Sequence, residues 1–125
     1  MEYASRIMEA VVTDTPYRFG GNVQNNGLIS NLPWDACVEV PCIADGNGIH
    51  GTYVGQLPLQ LAAMNASNIY PQLLTIEAAH TGKKEYIYQA AMMDPLTGAQ
   101  LSTDEIVSMC DELIEAHTAA GYRVI

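Results

Sequence analysis

Four residue types in this sequence could do chemistry: histidines, cysteines, carboxylates and side-chain amides. His50, His80 and His117 stand far apart and none has a second ligand at a metal spacing such as HxxxH. Near the end of a helical pattern, His117 has a sufficient structural role in favouring the helix dipole. Cys37, Cys42 and Cys110 contain no CxxC pair, and Cys37 and Cys42, five apart in one strand, face opposite sides and cannot easily bridge. We read all three as buried or half-buried thiols, with a metal role for Cys42 as the minority alternative. Carboxylates at Asp35, Glu39 and Asp45 could form an acid/base pair only at a working separation, and otherwise are turn and surface groups. The densest signal is "GGNVQNNGLISNLP", which gathers Asn22, Asn25, Asn26 and Asn31 around a turn. It is not GxGxxG and it leads into a strand rather than a helix, so it is no dinucleotide loop. No P-loop or GxSxG elbow is present either.

The elements that must position these residues change period along the chain. Residues 2–13 carry apolar side chains at Tyr3, Ile7, Met8, Val11 and Val12, a helical stripe that Pro16 closes. "YRFGGNVQ" alternates as a strand whose glycines suggest a bulge. "NNGLISNLP" is turn chemistry, and "DACVEVPCIA" is the strongest strand, with Cys37, Glu39 and Pro41 on one face and Val38, Val40 and Cys42 on the other. Pro41 cannot donate to a ladder, which predicts an edge strand, a strand end or a bulge. "DGNG" turns the chain into "IHGTYVG", completing a small antiparallel meander. From Leu57 the period is helical, with Pro71 demanding a kink or break and Gly82 ending the segment. "KKEYIYQAAMMD" stops at Asp94-Pro95, and Ser102 with Glu105 forms a capping box before a helix whose apolar face is Ile106, Met109, Leu113 and Ala116. The stripe of Met64, Tyr70, Tyr86, Tyr88, Met92 and Met93 reads as a packing or oligomer face. One N-terminal helix, a three-stranded meander and three or four helices make an α+β domain, and we expect residues 1–125 to be a single domain.

Bulk composition narrows the partners. The 125 residues are 49% hydrophobic and 15% charged, with net charge −9, which suits a folded core and a surface that repels phosphate backbones and anionic lipid. We therefore expect no nucleic-acid and no membrane partner. No run approaches the roughly 20 apolar residues of a membrane span, and "MEYASRIMEA" is not a signal peptide, so a cytoplasmic protein is expected.

The sequence goes further than its physics. Gly21-Asn22-Val23, Asn26-Gly27-Leu28-Ile29, Asn31-Leu32-Pro33, the run Val38 to Cys42, Gly55-Gln56-Leu57-Pro58 and Asp94-Pro95-Leu96 are spread over nearly the whole chain. Together they resemble the C-terminal part of glycoside hydrolase family 4, closest to its α-galactosidase/α-glucosidase branch. More weakly, Val40-Pro41-Cys42 followed by Asn47-Gly48-Ile49 is similar to the strand–turn–strand of lactate and malate dehydrogenase C-terminal domains. The resemblance implies a glycosidase that uses NAD and a divalent metal, usually manganese. Such an enzyme oxidises the sugar at C3, acidifies the C2 proton, eliminates the aglycone, adds water and reduces back. The family's nucleotide loop, Cys and His metal ligands and tyrosine base belong to the preceding two-thirds of a full-length enzyme, and nothing here matches them. Cys42 and His50 lie in a different segment from those ligands.

The resemblance therefore implies no catalytic, cofactor-binding or metal-binding residue in this chain. In the dehydrogenase-like fold the first helix's N-terminus approaches the sugar pocket, which places Glu2 and Tyr3 nearest to it. Asn22, Asn25, Asn26 and Asn31 have two readings: contact with sugar hydroxyls, or turn formation and backbone capping. We favour the second because Asx side chains do this routinely. The first overall expectation is a C-terminal substrate and oligomerisation segment that binds no NAD or manganese alone, acts on glycosides within the full enzyme and forms a homo-oligomer. The alternative is a stand-alone, non-catalytic carbohydrate-binding or assembly module. A self-sufficient hydrolase using Asp35 or Asp45 ranks below both.

Overall fold

The computed structural model describes residues 3–124. In chain order it has α1 (Ala4–Thr13), β1 (Tyr17–Gln24), β2 (Cys37–Asp45), β3 (Gly48–Gly51), α2 (Leu59–Thr81), α3 (Glu85–Met93), α4 (Pro95–Gln100) and α5 (Thr103–Ala119). Helix, meander and helices follow one another as the α+β reading expects. The chain divides into two compact units, the first ending at Ala62 and the second beginning at Ala63.

In the first unit the strands form an antiparallel sheet in the order β1-β2-β3. Alternation along β2 buries Val38, Val40, Cys42 and Ala44 on one face, and α1 packs against β2 and β1. The helix approaches through Ala10, 2% exposed, because a methyl group lets it come close to the sheet. The predicted stripe is therefore corrected: Met8 and Val12 point away from the sheet, Val12 being 84% exposed. Asp14 ends α1 in the left-handed region, and its Oδ1 accepts from Gly46 N at 2.8 Å, tying the helix end to the β2–β3 turn. A side chain at Gly46 would meet that carboxylate at 2.7 Å.

Two strand expectations are also corrected. The Gly20-Gly21 pair makes no bulge, since the β1–β2 register runs one to one from Tyr17↔Ala44 to Gln24↔Cys37. Gly21 is required for space instead: a Cβ there would stand 2.9 Å from Phe19 Cε2 and 3.0 Å from Cys42 Sγ. Pro41 sits in the central strand rather than an edge strand. It is tolerated because its backbone faces the β3 side one residue beyond that ladder, where its carbonyl accepts from Thr52 N at 2.8 Å.

In the second unit α2 runs on through Pro71 without a break, contrary to the stricter reading of that residue. Proline deletes one backbone bond, to the carbonyl four residues back, and helical turns on both sides carry the ladder past it. Gly82, with φ +70°, donates to Ala78 O at 2.9 Å and ends the helix as expected. Short α4 was not anticipated. Asp94 caps it through Thr97 N at 2.8 Å, and Pro95 opens it. The α5 capping box is present, Ser102 N donating to Glu105 Oε2 at 2.8 Å. Its buried face is rotated from the predicted one: Ile106 and Cys110 are buried whereas Leu113 is 51% exposed.

Candidate functional site

Two of the predicted pocket residues come together in the first unit. A depression of about 580 Å³ is lined by Tyr3, Phe19, Gly21, Asn22, Glu39 and Ile49. Tyr3, at the N-cap of α1, stacks on Phe19 with ring centroids 6.2 Å apart, and Phe19 stacks on Tyr17 at 6.3 Å. The Arg6 guanidinium lies 5.9 Å from the Tyr17 ring centre. Asn22 and Glu39 face each other across the β1–β2 ladder, and both side chains are exposed. The aromatic stack lies on the sheet face that carries Val40 and Cys42, and the Asn22 and Glu39 side chains lie on the other. The depression therefore draws apolar surface for C–H groups and hydrogen-bond partners for hydroxyls from opposite faces. Phe19 was not singled out from the sequence, although the alternation beginning at Tyr17 places it on the same face as Gly21.

The remaining amides stand in the loop after β1. Asn25 is 0% exposed and every polar atom of its side chain is engaged: Nδ2 donates to Ile29 O at 2.9 Å, Leu32 O at 3.1 Å and Pro33 O at 3.0 Å, and Oδ1 accepts from Ile29 N at 2.7 Å. Asn31 clamps Leu57 at both ends of its peptide, with Nδ2 donating to the carbonyl and Oδ1 accepting from the N–H, each at 2.9 Å. Asn26 is exposed and holds φ +44°, followed by Gly27 at +84°, so this pair turns the chain. Glu2 lies outside the described residues.

The other candidates do not assemble into one centre. Asp35 accepts from Gln24 Nε2 at 3.2 Å, and His50 Nε2 is 3.7 Å from Asp45 Oδ1 on the opposite face from Cys42. The Cys42 thiol is buried and points to Val40 O at 3.4 Å. Cys110 is buried too, which raises its thiol pKa, whereas Cys37 is exposed, correcting its expected burial. All three cysteines are free. His117 meets Tyr122 edge-on at 6.0 Å. The Tyr88 hydroxyl donates to Asp111, and that bond holds the phenol above its ordinary pKa. Among the described residues no group of three His, Cys, Asp or Glu side chains is placed to hold a metal ion. No helix among them is long and apolar enough to cross a membrane.

A helix leading into an antiparallel meander, followed by helices, is the architecture of C-terminal domains in sugar-cleaving enzymes of known structure. The chain belongs to the family 4 glycosyl hydrolases: the model of that family's C-terminal domain matches residues 1–97. It is 60% identical over 116 residues to the alpha-galactosidase of Bacillus subtilis (strain 168), covering 93% of this chain and 27% of that protein. Identity to the alpha-galactosidase of Rhizobium meliloti (strain 1021) is 41% over 115 residues, covering 92% and 24%. The chain thus spans about a quarter of the length of these relatives. Among solved structures it is similar to a 6-phospho-alpha-glucosidase from gut microorganisms in complex with NAD and glucose-6-phosphate. There the TM-score is 0.82 and identity 25%, over 98% of this chain and 27% of the other. The Thermotoga maritima 6-phospho-beta glucosidase with manganese, NAD+ and glucose-6-phosphate gives a TM-score of 0.75 and 26% identity, over 93% and 29%.

Proposed function

We propose that this chain is the C-terminal substrate-side and oligomerisation segment of a cytoplasmic, NAD- and manganese-dependent glycosidase acting on α-galactosides or α-glucosides. The whole protein works by oxidation, elimination, water addition and reduction, and this segment alone does not catalyse. The observation that carries the reading is the 60% identity to an alpha-galactosidase across 93% of the chain. NAD supplies the redox step and manganese the polarisation of the sugar in that route, but the residues described here do not fit either group. Cys42 and His50 sit on opposite faces of the sheet, and no metal-holding cluster is formed. We therefore assign both groups to residues beyond this segment. What this chain contributes is a rigid support: the Tyr3–Phe19 stack on one face of the sheet and Asn22 with Glu39 on the other, held by α1 and the meander.

A domain exchange tests the reading. The matching quarter of the Bacillus subtilis alpha-galactosidase is replaced by this chain, and cleavage of nitrophenyl α-galactoside and α-glucoside is followed with and without NAD+ and Mn2+. The expected result is hydrolysis by the chimera only when both are present and none by the isolated chain. Hydrolysis by the isolated chain after exhaustive removal of nucleotide and metal, or a soluble folded chimera without activity, would overturn it. An inactive chimera together with saccharide binding by the isolated chain would favour the stand-alone module.

A further inference from the structure

We infer that Asp14 is a positioning residue: its bond to the β2–β3 turn fixes the tilt of α1 and so holds Tyr3 on Phe19 for a bound glycoside. This rests on the reading of the segment as the substrate side of a glycosidase. Asp14 breaks two local rules at once. It holds φ 55° and ψ 32°, a left-handed conformation that glycine or asparagine ordinarily supplies at a helix end. Its carboxylate also stands at the negative end of the helix dipole, and no basic residue in the last turn of α1 offsets it. Local violations of this kind persist where a tertiary contact or a function compensates for them.

The compensation lies 32 residues further along the chain, where Gly46 N donates to Asp14 Oδ1 at 2.8 Å. An ionised acceptor makes this one of the stronger kinds of hydrogen bond. The carboxylate is seated against the turn as well as bonded to it, since a Cβ on Gly46 would stand 2.7 Å from Oδ1 and 2.9 Å from Cγ. The turn is fixed from within, Asp45 Oδ1 accepting from Asn47 N at 2.8 Å, so the Gly46 N–H is held in place for the carboxylate.

Helix geometry makes this latch a lever. Ala10, 2% exposed, is the point at which α1 approaches the sheet. With a rise of about 1.5 Å per residue, Asp14 lies about 6 Å beyond that contact and Tyr3 about 10 Å to its other side. Tilting about Ala10 therefore magnifies a shift at Asp14 nearly two-fold at Tyr3. The Tyr3 and Phe19 ring centroids are 6.2 Å apart, close to the outer limit of about 7 Å for aromatic contact. A release of about 1 Å at Asp14 would carry Tyr3 about 2 Å and past that limit. Ring contacts at the N-terminal half of α1, including Arg6 over Tyr17 at 5.9 Å, are less directional than the 2.8 Å bond at the other end.

Phe19 is the single phenylalanine of the sequence, so fluorophenylalanine labels it uniquely and fluorine NMR of the chain reads the stack. Tyr3→Ala defines the unstacked resonance. Asp14→Gly removes the carboxylate but keeps the left-handed helix end that glycine favours, so the fold is retained. Its resonance should move at least halfway to the Tyr3→Ala position, whereas Asp14→Asn keeps an acceptor oxygen and should hold the parent position. Gly46→Ala pushes the carboxylate away from the other side and should match Asp14→Gly. In the chimera with the Bacillus subtilis alpha-galactosidase, Asp14→Gly should raise KM for nitrophenyl α-galactoside about 5-fold with kcat within about 2-fold, and Asp14→Asn should restore KM. A resonance unmoved in Asp14→Gly, an Asp14→Asn variant that behaves like Asp14→Gly, or a KM that ignores a displaced ring would each overturn the inference. An unmodified chimera without activity would instead strike the glycosidase reading, and the fluorine measurement would still decide the latch.

Discussion

Replacing Asn25 by alanine is the sharpest perturbation of the amide cluster. The Asn25 amide is wholly buried and ties three carbonyls and one N–H of the loop between β1 and β2. An amide nitrogen has two hydrogens, so the three contacts amount to two full donations, one of them shared, plus the bond accepted from Ile29 N. At about 1 kcal/mol net for each of the two donations, and about 1–3 kcal/mol for leaving the buried Ile29 N–H without a partner, the loss is about 3–5 kcal/mol. Against a total stability of about 5–15 kcal/mol, that is a large fraction. Urea unfolding, followed by the fluorescence of the single Trp34, is the assay. Trp34 is well placed as the reporter because its carbonyl accepts from Asn26 N at 3.0 Å and its ring lies over Gly27. With a slope of about 1–3 kcal/mol/M, the midpoint should fall by about 2 M. Asn25→Asp should be no better at neutral pH, since it turns an acceptor toward carbonyl oxygens. Asn31→Ala should cost less, about 1–2 kcal/mol, because the Leu57 clamp is only half-buried, and Asn22→Ala should cost little. A loss below about 1 kcal/mol for Asn25→Ala, or equal losses at Asn25 and Asn22, would refute the reasoning.

The adjacent glycines of β1 should respond differently to alanine. Gly21→Ala forces apart the Phe19 ring and the Cys42 thiol and should cost about 1–3 kcal/mol. Gly20→Ala meets only the flexible end of Glu39, at 3.2 Å, and should be nearly neutral in the same urea unfolding measurement. Acid should weaken the helical unit at its caps. Glu105 is held below its ordinary pKa first by the Ser102 backbone N–H and then by its hydroxyl, and Asp94 by the Thr97 backbone N–H and hydroxyl. A depressed folded-state pKa gives stability that is present above the unfolded pKa and is lost as pH falls through the folded one. Helicity should therefore decline as pH drops below about 4, and Ser102→Ala should flatten the Glu105 contribution; an unchanged acid titration in that variant would count against the capping box as its source.

Local chemistry carried most of the fold into plain view. The alternation of "YRFGGNVQ" and "DACVEVPCIA" marks β1 and β2, and Ser102 with Glu105 marks the start of α5, because strand periodicity and capping act over a few residues. What local chemistry cannot encode is which neighbour a residue meets. Pro41 reads as an edge signal until its carbonyl is found bonded to Thr52, and Gly21 reads as a bulge until the Phe19 ring and Cys42 thiol are found beside it. The buried face of α5 turns on Cys110 rather than Leu113 for the same reason. A small polarizable side chain packs inside a helical unit whose composition says nothing about the angle at which α3 and α5 meet. The α4 start was legible, since Asp94-Pro95 is a cap followed by a first-turn proline, but the pair also reads as a stop for α3 and does both.

The candidate site divides the amides by environment. A side chain that bonds a ligand must keep polar atoms free, and burial with full internal bonding removes them. Asn25 and Asn31 engage both amide atoms with backbone groups, and Asn26 supplies a positive φ at a turn. Their loop holds Ile29 against Gly55 and Leu28 against Val54, so it joins the exit of β1 to the approach to α2. Asn22, on the exposed face of β1, has no such backbone partner and stands across the ladder from Glu39, on the opposite face from Phe19. The same alternation that turns its side chain to the outer face turns its N–H and C=O to the free edge of β1. Within the amide cluster, recognition of a glycoside would thus rest on the Asn22 side-chain amide alone, and alanine at position 22 tests it, because it removes that amide while leaving every backbone group of the strand in place.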